Sequence, residues 1–156
     1  MDENDIAGLL LFNQINTRYA VDATNMQVWC SHYETRCVFI LLEGPVVLFD
    51  YANQPYLAEG IPTVDEYRTI PTFNFFGSGN STNEFVNVFA AQIADLIKNH
   101  GGGSKRIAID NLSQLGCEAL RGKGLKLVEG ESITETARAI KSKEELVLMK
   151  ASMDVC

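Results

Sequence analysis

The fold of this chain is decided by residues 13–42, NQINTRYAVDATNMQVWCSHYETRCVFILL. Short β-rich apolar blocks lie immediately before this stretch, at residues 8–12, and at its end, at residues 37–42. Blocks of this kind predict strands that are covered on both faces. The polar segment between them carries four large side chains, which are Met26, Trp29, His32 and Tyr33. Such a connection is typical of a binding loop or partner contact, and the alternative is a helical turn or satellite cluster whose Trp29 fills the domain's own core.

The following patterns extend the sheet and add a long helix. Glu43-Gly44-Pro45 separates residues 37–42 from another β-rich run at 46–49, which predicts an antiparallel hairpin. Residues 50–71 contain three prolines and predict an irregular passage with one short strand near residues 67–70. Apolar residues then recur at helical spacing and predict one face of an amphipathic helix, namely Phe85, Val88, Phe89, Ile93, Leu96 and Ile97.

The last third of the chain predicts a βαβ unit followed by two helices. Its strands are expected at residues 106–110 and 125–128, with a right-handed helical crossover between them. Four polar pairs are expected to cap helix starts, namely Ser81 with Glu84, Asn111 with Gln114, Ser132 with Glu135 and Ser142 with Glu145. The last helix carries an apolar stripe and no stop signal, so we expect the chain to end inside an element of a larger polypeptide. This stripe consists of Leu146, Met149 and Met153.

These patterns together predict an α/β fold. We expect a mixed sheet of five or six strands, antiparallel at its start and joined by helical crossovers later, with helices packed on it. At 156 residues the chain has the size of one domain.

Composition and charge narrow the functional classes. Hydrophobic residues make up 46% and charged residues 21% of the chain, which is typical of a soluble globular protein. Its net charge of −7 argues against nucleic acid as a partner and favours a basic partner or a small substrate. No apolar run approaches the ~20 residues of a membrane span, and no signal segment opens the chain, so a cytoplasmic location without membrane contact is expected.

The sequence offers no complete catalytic or metal-binding pattern. The four cysteines lack zinc-ligand spacing, and the chain contains two histidines. Gly77-Ser78-Gly79 precedes a predicted helix but lacks the rest of a phosphate-binding motif, and no nucleophile elbow is present. We therefore expect neither catalytic residues nor metal ligands in this chain.

Two motifs resemble the creatinase/prolidase/aminopeptidase P family. Asn16-x-Arg18-Tyr19 after an apolar strand is similar to the family's "N-I-R-Y-L-T-G" motif, with Asp22 where a glycine commonly stands. The segment AIKSKEELVLMK at residues 139–150 is similar to the "R-x-I-K-S-x-E-E-I-x-x-[LM]-[KR]" linker before the catalytic domain. The two motifs occur in the family's order and span nearly the whole chain.

The resemblance implies a creatinase/prolidase-like N-terminal domain at residues 1–140 and a linker helix at 141–156 that leads to an absent C-terminal catalytic domain. Such a domain is non-catalytic, supports assembly of a homodimer and shapes substrate access to the catalytic cleft. The implied parent is a metal-dependent hydrolase of Xaa-Pro peptidase or creatinase type, or a related lyase such as the dimethylsulfoniopropionate-cleaving branch. Its two divalent metal ions would lie in the missing domain. This chain alone is accordingly expected to hydrolyse neither Xaa-Pro dipeptides nor creatine.

The resemblance also implies that residues 25–36 form a substrate-access loop that acts in trans on the neighbouring subunit. The site residues expected there are Trp29, His32, Tyr33 and Arg36. Tryptophan and tyrosine present rigid apolar area with a polar tip, while arginine can hold a carboxylate through two hydrogen bonds. Trp29 is favoured among the four. Two other functions stay open, namely a non-enzymatic peptide- or protein-binding module of the same fold and a free-standing small-molecule-binding α/β domain.

Overall fold

The computed structural model describes residues 5–24, 27–52 and 54–155, and for Gln27 its backbone alone. Six strands are present in this part of the chain: β1 (Gly8–Leu11), β2 (Cys37–Leu41), β3 (Val46–Asp50), β4 (Glu66–Thr69), β5 (Arg106–Ile109) and β6 (Lys126–Glu129). The helices are α1 (Gln14–Val21), α2 (Gln27–His32), α3 (Phe75–Ser78), α4 (Thr82–His100), α5 (Gln114–Gly122), α6 (Glu131–Ala139) and α7 (Lys143–Val155). Two short 3₁₀ turns lie at Pro55–Leu57 and Gly79–Ser81.

The strands form one mixed sheet in the order β4-β3-β2-β1-β5-β6. β1, β2 and β3 pair antiparallel, with Leu10 opposite Phe39 and Phe39 opposite Val47. The other three pairs, β3 with β4, β1 with β5 and β5 with β6, are parallel. The predicted mixed sheet, its antiparallel start and its later helical crossovers are therefore confirmed.

Both faces of the central strands are covered, which explains why their sequences read as continuous apolar runs. On β2, Cys37 and Phe39 contribute to the core cluster that contains Phe89 and Ile93 of α4. Val38, the residue between them, belongs to the cluster on the opposite face with Val21 of α1. Side chains of a strand alternate between faces, so one apolar run supplies two cores.

The predicted helix starts are confirmed in part. Ser142 and Glu145 form the predicted reciprocal cap, with Ser142 Oγ accepting from the Glu145 amide at 3.2 Å and Glu145 Oε2 accepting from the Ser142 amide at 2.6 Å. α4 begins at Thr82 as expected, but the Ser81 side chain makes no capping bond. The other two predictions are wrong: Ser113 rather than Asn111 caps α5, and Ser132 lies inside α6, where its amide donates to Oε1 of Glu129 at 3.0 Å.

Helix α1 was not predicted, and its end explains the departure from the family motif at position 22. Asn13 caps its start by accepting a hydrogen bond from the Ile15 amide at 2.9 Å. Asp22 ends it in the left-handed conformation, with φ of 56° and ψ of 19°. Glycine adopts this conformation without strain, and aspartate is among the few other residues that tolerate it. Asp22 therefore keeps the backbone path that glycine would provide.

Replacing Asp22 with glycine is expected to stabilise the domain by about 0.5–1 kcal/mol, because the left-handed conformation is strained for any residue with a Cβ atom. Urea denaturation of the wild type and the variant measures this difference. Gly124 has φ of 80°, and Gly124→Ala provides the matched control, with a loss of about 1 kcal/mol expected. Equal or lower stability of Asp22→Gly would contradict the assigned conformation.

No helix in the described ranges is long and apolar enough to cross a membrane.

Candidate functional site

The candidate site lies where five strands end at one edge of the sheet. Because β1, β3, β4, β5 and β6 run in the same direction, their carboxyl ends share this edge with the start of antiparallel β2. Ligands of α/β proteins commonly bind outside the carboxyl ends of strands. Helices α2 and α3 both cover this edge, since α2 leads into β2 and α3 follows β4.

Most of the predicted access loop, residues 25–36, forms the short helix α2 and the turn that follows it. The first two residues of the predicted loop, Asn25 and Met26, lie outside the described residues. Two contacts anchor its end: Glu34 accepts a hydrogen bond from the Ser113 amide at the start of α5, and the Thr35 hydroxyl donates to Cys30 Sγ at 3.5 Å. α2 is thereby tied to the βαβ unit as well as to its own strand.

Trp29 lies in an exposed aromatic cluster with Tyr33 and Phe76. The Trp29 ring centroid is 4.5 Å from that of Tyr33 and 5.6 Å from that of Phe76, and Tyr33 stacks on Phe76 at 5.7 Å. Trp29 is 37% exposed and Phe76 is 74% exposed. Trp29 therefore does not fill the main core, but the helical turn and the satellite cluster that the alternative expected are both present.

His32 lies at the end of α2 and is exposed. With Tyr33, Glu34 and Asn74 it lines a cavity of about 300 Å³ between α2, α3 and the start of α5. Tyr33 packs on Trp29, and His32 lies three residues after Trp29 on α2.

Arg36 does not belong to this surface, which corrects the prediction for that residue. Its side chain is 1% exposed, and its Nε lies 3.3 Å from Oδ2 of Asp50, whose side chain is 2% exposed. The guanidinium is therefore committed to a buried ion pair that joins the start of β2 to the end of β3. It is not available to hold a ligand carboxylate.

The structure adds one site residue that the sequence reasoning missed. Phe76 lies more than forty positions from Tyr33 in the sequence and reaches it because α3 folds back over the strand ends. Asn74 fixes this short helix, since its Oδ1 accepts from the Gly77 amide at 2.8 Å. The available signal was the exposed pair Phe75-Phe76 beside a capping asparagine, which is unusual for a solvated turn.

No group of three or more His, Cys, Asp or Glu side chains suited to a metal ion is found in residues 5–24, 27–52 and 54–155.

Comparisons with solved structures identify the fold. A dipeptidase from Pyrococcus horikoshii superposes with a TM-score of 0.64 at 16% identity, covering 95% of this chain and 36% of the dipeptidase. The creatinase/prolidase N-terminal domain of an X-Pro dipeptidase from Streptococcus pyogenes superposes with a TM-score of 0.56 at 12% identity, covering 89% of this chain and 91% of that domain. This chain has the creatinase/prolidase N-terminal domain fold. The creatinase/prolidase-type domain therefore corresponds to nearly the whole of one solved domain and to about a third of a longer enzyme.

Sequence comparison relates the creatinase/prolidase-type domain to two curated lyases. It is 36% identical over 154 residues to the dimethylsulfoniopropionate lyase DddP of Roseovarius nubinhibens, and 36% identical over 150 residues to that of Roseobacter denitrificans. These matches cover 99% and 96% of this chain but 34% of each lyase. The chain thus spans about a third of the length of the curated relatives that it matches. No family model matches the sequence.

Proposed function

We propose that this chain is the non-catalytic N-terminal domain of a longer metal-dependent enzyme, in which it supports homodimer assembly and shapes substrate access to the neighbouring subunit's catalytic cleft. The observation that carries the proposal is the exposed cluster of Trp29, Tyr33 and Phe76 at the carboxyl edge of the sheet. Exposed apolar surface of this kind marks a binding or association site. The bonds of Glu34 and Thr35 hold α2, and with it the cluster, in a fixed position.

A lyase parent is favoured over an Xaa-Pro peptidase. The curated lyases are 36% identical to this chain, whereas the dipeptidase structures are 12–16% identical. Dimethylsulfoniopropionate is by its name a sulfonium cation that carries a carboxylate. The faces of tryptophan, tyrosine and phenylalanine attract cations within about 6 Å of the ring centroid. The aromatic cluster therefore suits the cationic end of such a substrate, and the exposed His32 suits a polar contact beside it.

The proposed division of the chain follows the break between its last two helices. Residues 1–140 form the N-terminal domain, and residues 141–156 form a linker helix that leads to the C-terminal catalytic domain. That catalytic domain is the first proposed partner of the N-terminal domain. α6 ends at Ala139 and α7 begins at Lys143, which supports this division. The two divalent metal ions of the parent would lie in the catalytic domain. We expect the parent enzyme to be cytoplasmic, because thiols such as those of Cys37 and Cys117 stay reduced in that compartment. We expect it to bind neither nucleic acid nor membranes.

The test is to assay the longer polypeptide for cleavage of dimethylsulfoniopropionate and for hydrolysis of an Xaa-Pro dipeptide, each before and after removal of metal with a chelator. The proposal predicts chelator-sensitive cleavage of the sulfonium compound by the longer polypeptide and none by residues 1–156. Turnover by residues 1–156 alone would contradict the non-catalytic assignment. A longer polypeptide that binds peptides without turnover would favour the peptide-binding module.

The apolar stripe of α7 gives a prediction for the isolated chain. Leu146, Met149 and Met153 are 55%, 48% and 76% exposed, and under the proposal they pack against the catalytic domain. Without that domain we expect residues 1–156 to self-associate as the concentration rises, or α7 to unfold locally beyond Lys143.

Light scattering across a concentration series and amide exchange of α7 measure these two outcomes. Leu146→Lys is expected to abolish self-association, while Ala151→Lys, which adds the same charge on the opposite side of the same helix, serves as the control. A strictly monomeric chain whose α7 amides exchange as slowly as the core would contradict the prediction.

A further inference from the structure

A further cavity, here termed the α1–α2 cavity, lies between the start of α1 and helix α2. Its volume is about 540 Å³, and Ser31 of α2 lines one side of it. Phe12 and Asn13, which follow β1, and Asn111, which follows β5, line the same cavity. It therefore opens at the carboxyl ends of two neighbouring strands, and its volume is within the range of small-molecule sites.

The sheet topology explains why a crevice forms at this place. β1 and β5 are parallel neighbours, with Leu10 opposite Ile109. The helices that follow them pack on opposite faces of the sheet, because Val21 of α1 belongs to one core cluster and Leu120 of α5 belongs to the other. The two connections thus separate at the strand ends, and α/β proteins commonly bind ligands in the crevice that such a separation leaves.

Gln14 supplies a buried hydrogen-bond acceptor among the residues that line the cavity. Its side chain amide nitrogen donates to the carbonyl oxygens of Phe12 at 3.0 Å and of Arg36 at 3.5 Å, which fixes the orientation of the amide. Gln14 is 7% exposed, and its Oε1 has no hydrogen-bond partner within the described part of the chain. Because a buried acceptor without a partner is costly, this atom indicates a ligand group that donates a hydrogen bond.

Arg18 supplies a positive charge at the same cavity. It is exposed, and it takes part in none of the ion pairs found among the described residues. No Asp or Glu belongs to the described residues that line the cavity, so a cationic ligand group has no counter-ion there. An uncharged hydroxyl is therefore favoured over an ammonium as the donor to Gln14, and a carboxylate is favoured beside Arg18.

We propose that the α1–α2 cavity binds a small hydroxycarboxylate that carries an apolar group. Its hydroxyl donates to Oε1 of Gln14, its carboxylate pairs with Arg18, and its apolar group packs on the side chains of Phe12 and Ile15, which also line the cavity. The site is complete within residues 1–156. It requires neither a neighbouring subunit nor a catalytic domain, and so it goes beyond the proposed function.

Three related compounds test the site in residues 1–156 by NMR titration of the amide chemical shifts. Phenyllactate carries all three groups, hydrocinnamate lacks the hydroxyl, and phenethyl alcohol lacks the carboxylate. We expect phenyllactate to bind with a Kd of about 1 mM or below and to shift the amides of residues 13–18 and 111. The other two compounds are expected to bind about 5-fold more weakly, because each loses one polar contact.

Two variants assign the polar contacts to their residues. Arg18→Gln is expected to weaken phenyllactate binding by about 5-fold and to leave phenethyl alcohol binding unchanged. Arg121→Gln is the matched control, since Arg121 is also exposed and lies in the last turn of its helix, α5, but does not line the cavity. Gln14→Leu is expected to remove the preference for phenyllactate over hydrocinnamate, with core amide exchange showing that this variant is folded.

The exposed Arg18 and the three compounds keep the test decisive if Gln14→Leu does not fold. Absence of shifts at about 10 mM phenyllactate, a concentration well above the expected Kd, would overturn the site. Equal binding of the three compounds, or equal weakening by Arg18→Gln and Arg121→Gln, would overturn it as well. Shifts confined to the cluster of Trp29, Tyr33 and Phe76 would do the same.

Discussion

Replacing Asp50 with alanine is expected to lower the free energy of unfolding of residues 1–156 by about 3–5 kcal/mol. The Asp50 side chain is 2% exposed and lies 3.3 Å from Nε of Arg36, whose side chain is 1% exposed. The substitution removes the counter-ion of a guanidinium in the core, and removing one member of a buried ion pair is strongly destabilising. Urea denaturation followed by tryptophan fluorescence measures the change.

Two further variants separate this effect from charge removal in general. Asp154→Ala breaks the exposed ion pair with Lys150 and is expected to change stability by less than about 0.5 kcal/mol. The double variant Arg36→Met with Asp50→Leu removes both charges and is expected to be closer to the wild type than Asp50→Ala alone. A loss below about 1 kcal/mol for Asp50→Ala would contradict the structural role assigned to this pair.

Replacing Trp29 with alanine is expected to reduce kcat/KM of the longer enzyme by about 10-fold or more, which corresponds to ~1.4 kcal/mol of transition-state binding. Thermal stability and metal content should change little, because Trp29 is 37% exposed and packs on the half-buried Tyr33 and the exposed Phe76. A buried tryptophan would instead lose about 3–5 kcal/mol of stability on truncation.

Val28→Ala is the matched control for Trp29→Ala. Val28 precedes Trp29 on the same helix and is 78% exposed, so its truncation tests whether any change in α2 lowers activity. It is expected to leave both kinetics and stability near the wild type. A Trp29→Ala enzyme that unfolds early but keeps wild-type kinetics while folded would contradict the site assignment.

The strands were predictable because each is a short apolar run bounded by turn residues. Cys37–Leu41 and Val46–Asp50 are separated by the glycine and proline of one tight turn, which also sets their register. α1 was not predictable in the same way, because its buried residues include the polar Gln14, Asn16 and Thr17. The buried Asn16 bonds to Asp110, almost a hundred positions away, and Gln14 bonds to the Arg36 carbonyl, so no local pattern reveals the helix.

The sequence singles out the segment that carries the candidate site, but it does not reveal which side chains from other segments join it. Trp29, His32 and Tyr33 were recognised because large side chains stood in a polar connection, whereas Phe76 joins them through tertiary structure alone. The error at Arg36 was avoidable. Cys37 pairs with Phe49 in the hairpin, so one further step of the register places Arg36 opposite Asp50. Opposite charges at matched positions of two apolar strands predict a buried ion pair.

Action of Trp29 in trans is tested most directly by subunit mixing in the longer enzyme. Trp29→Ala is combined with a second variant that keeps Trp29 but lacks one metal ligand of the catalytic domain, and the two are allowed to exchange subunits. In a mixed dimer, the intact catalytic domain of the first subunit receives Trp29 from the second. We predict recovery to about a quarter of wild-type activity at equal mixing, because half of the dimers are mixed and each has one complete site. Activity that stays at the mean of the two variants after verified exchange would show that Trp29 serves its own subunit, contradicting the account.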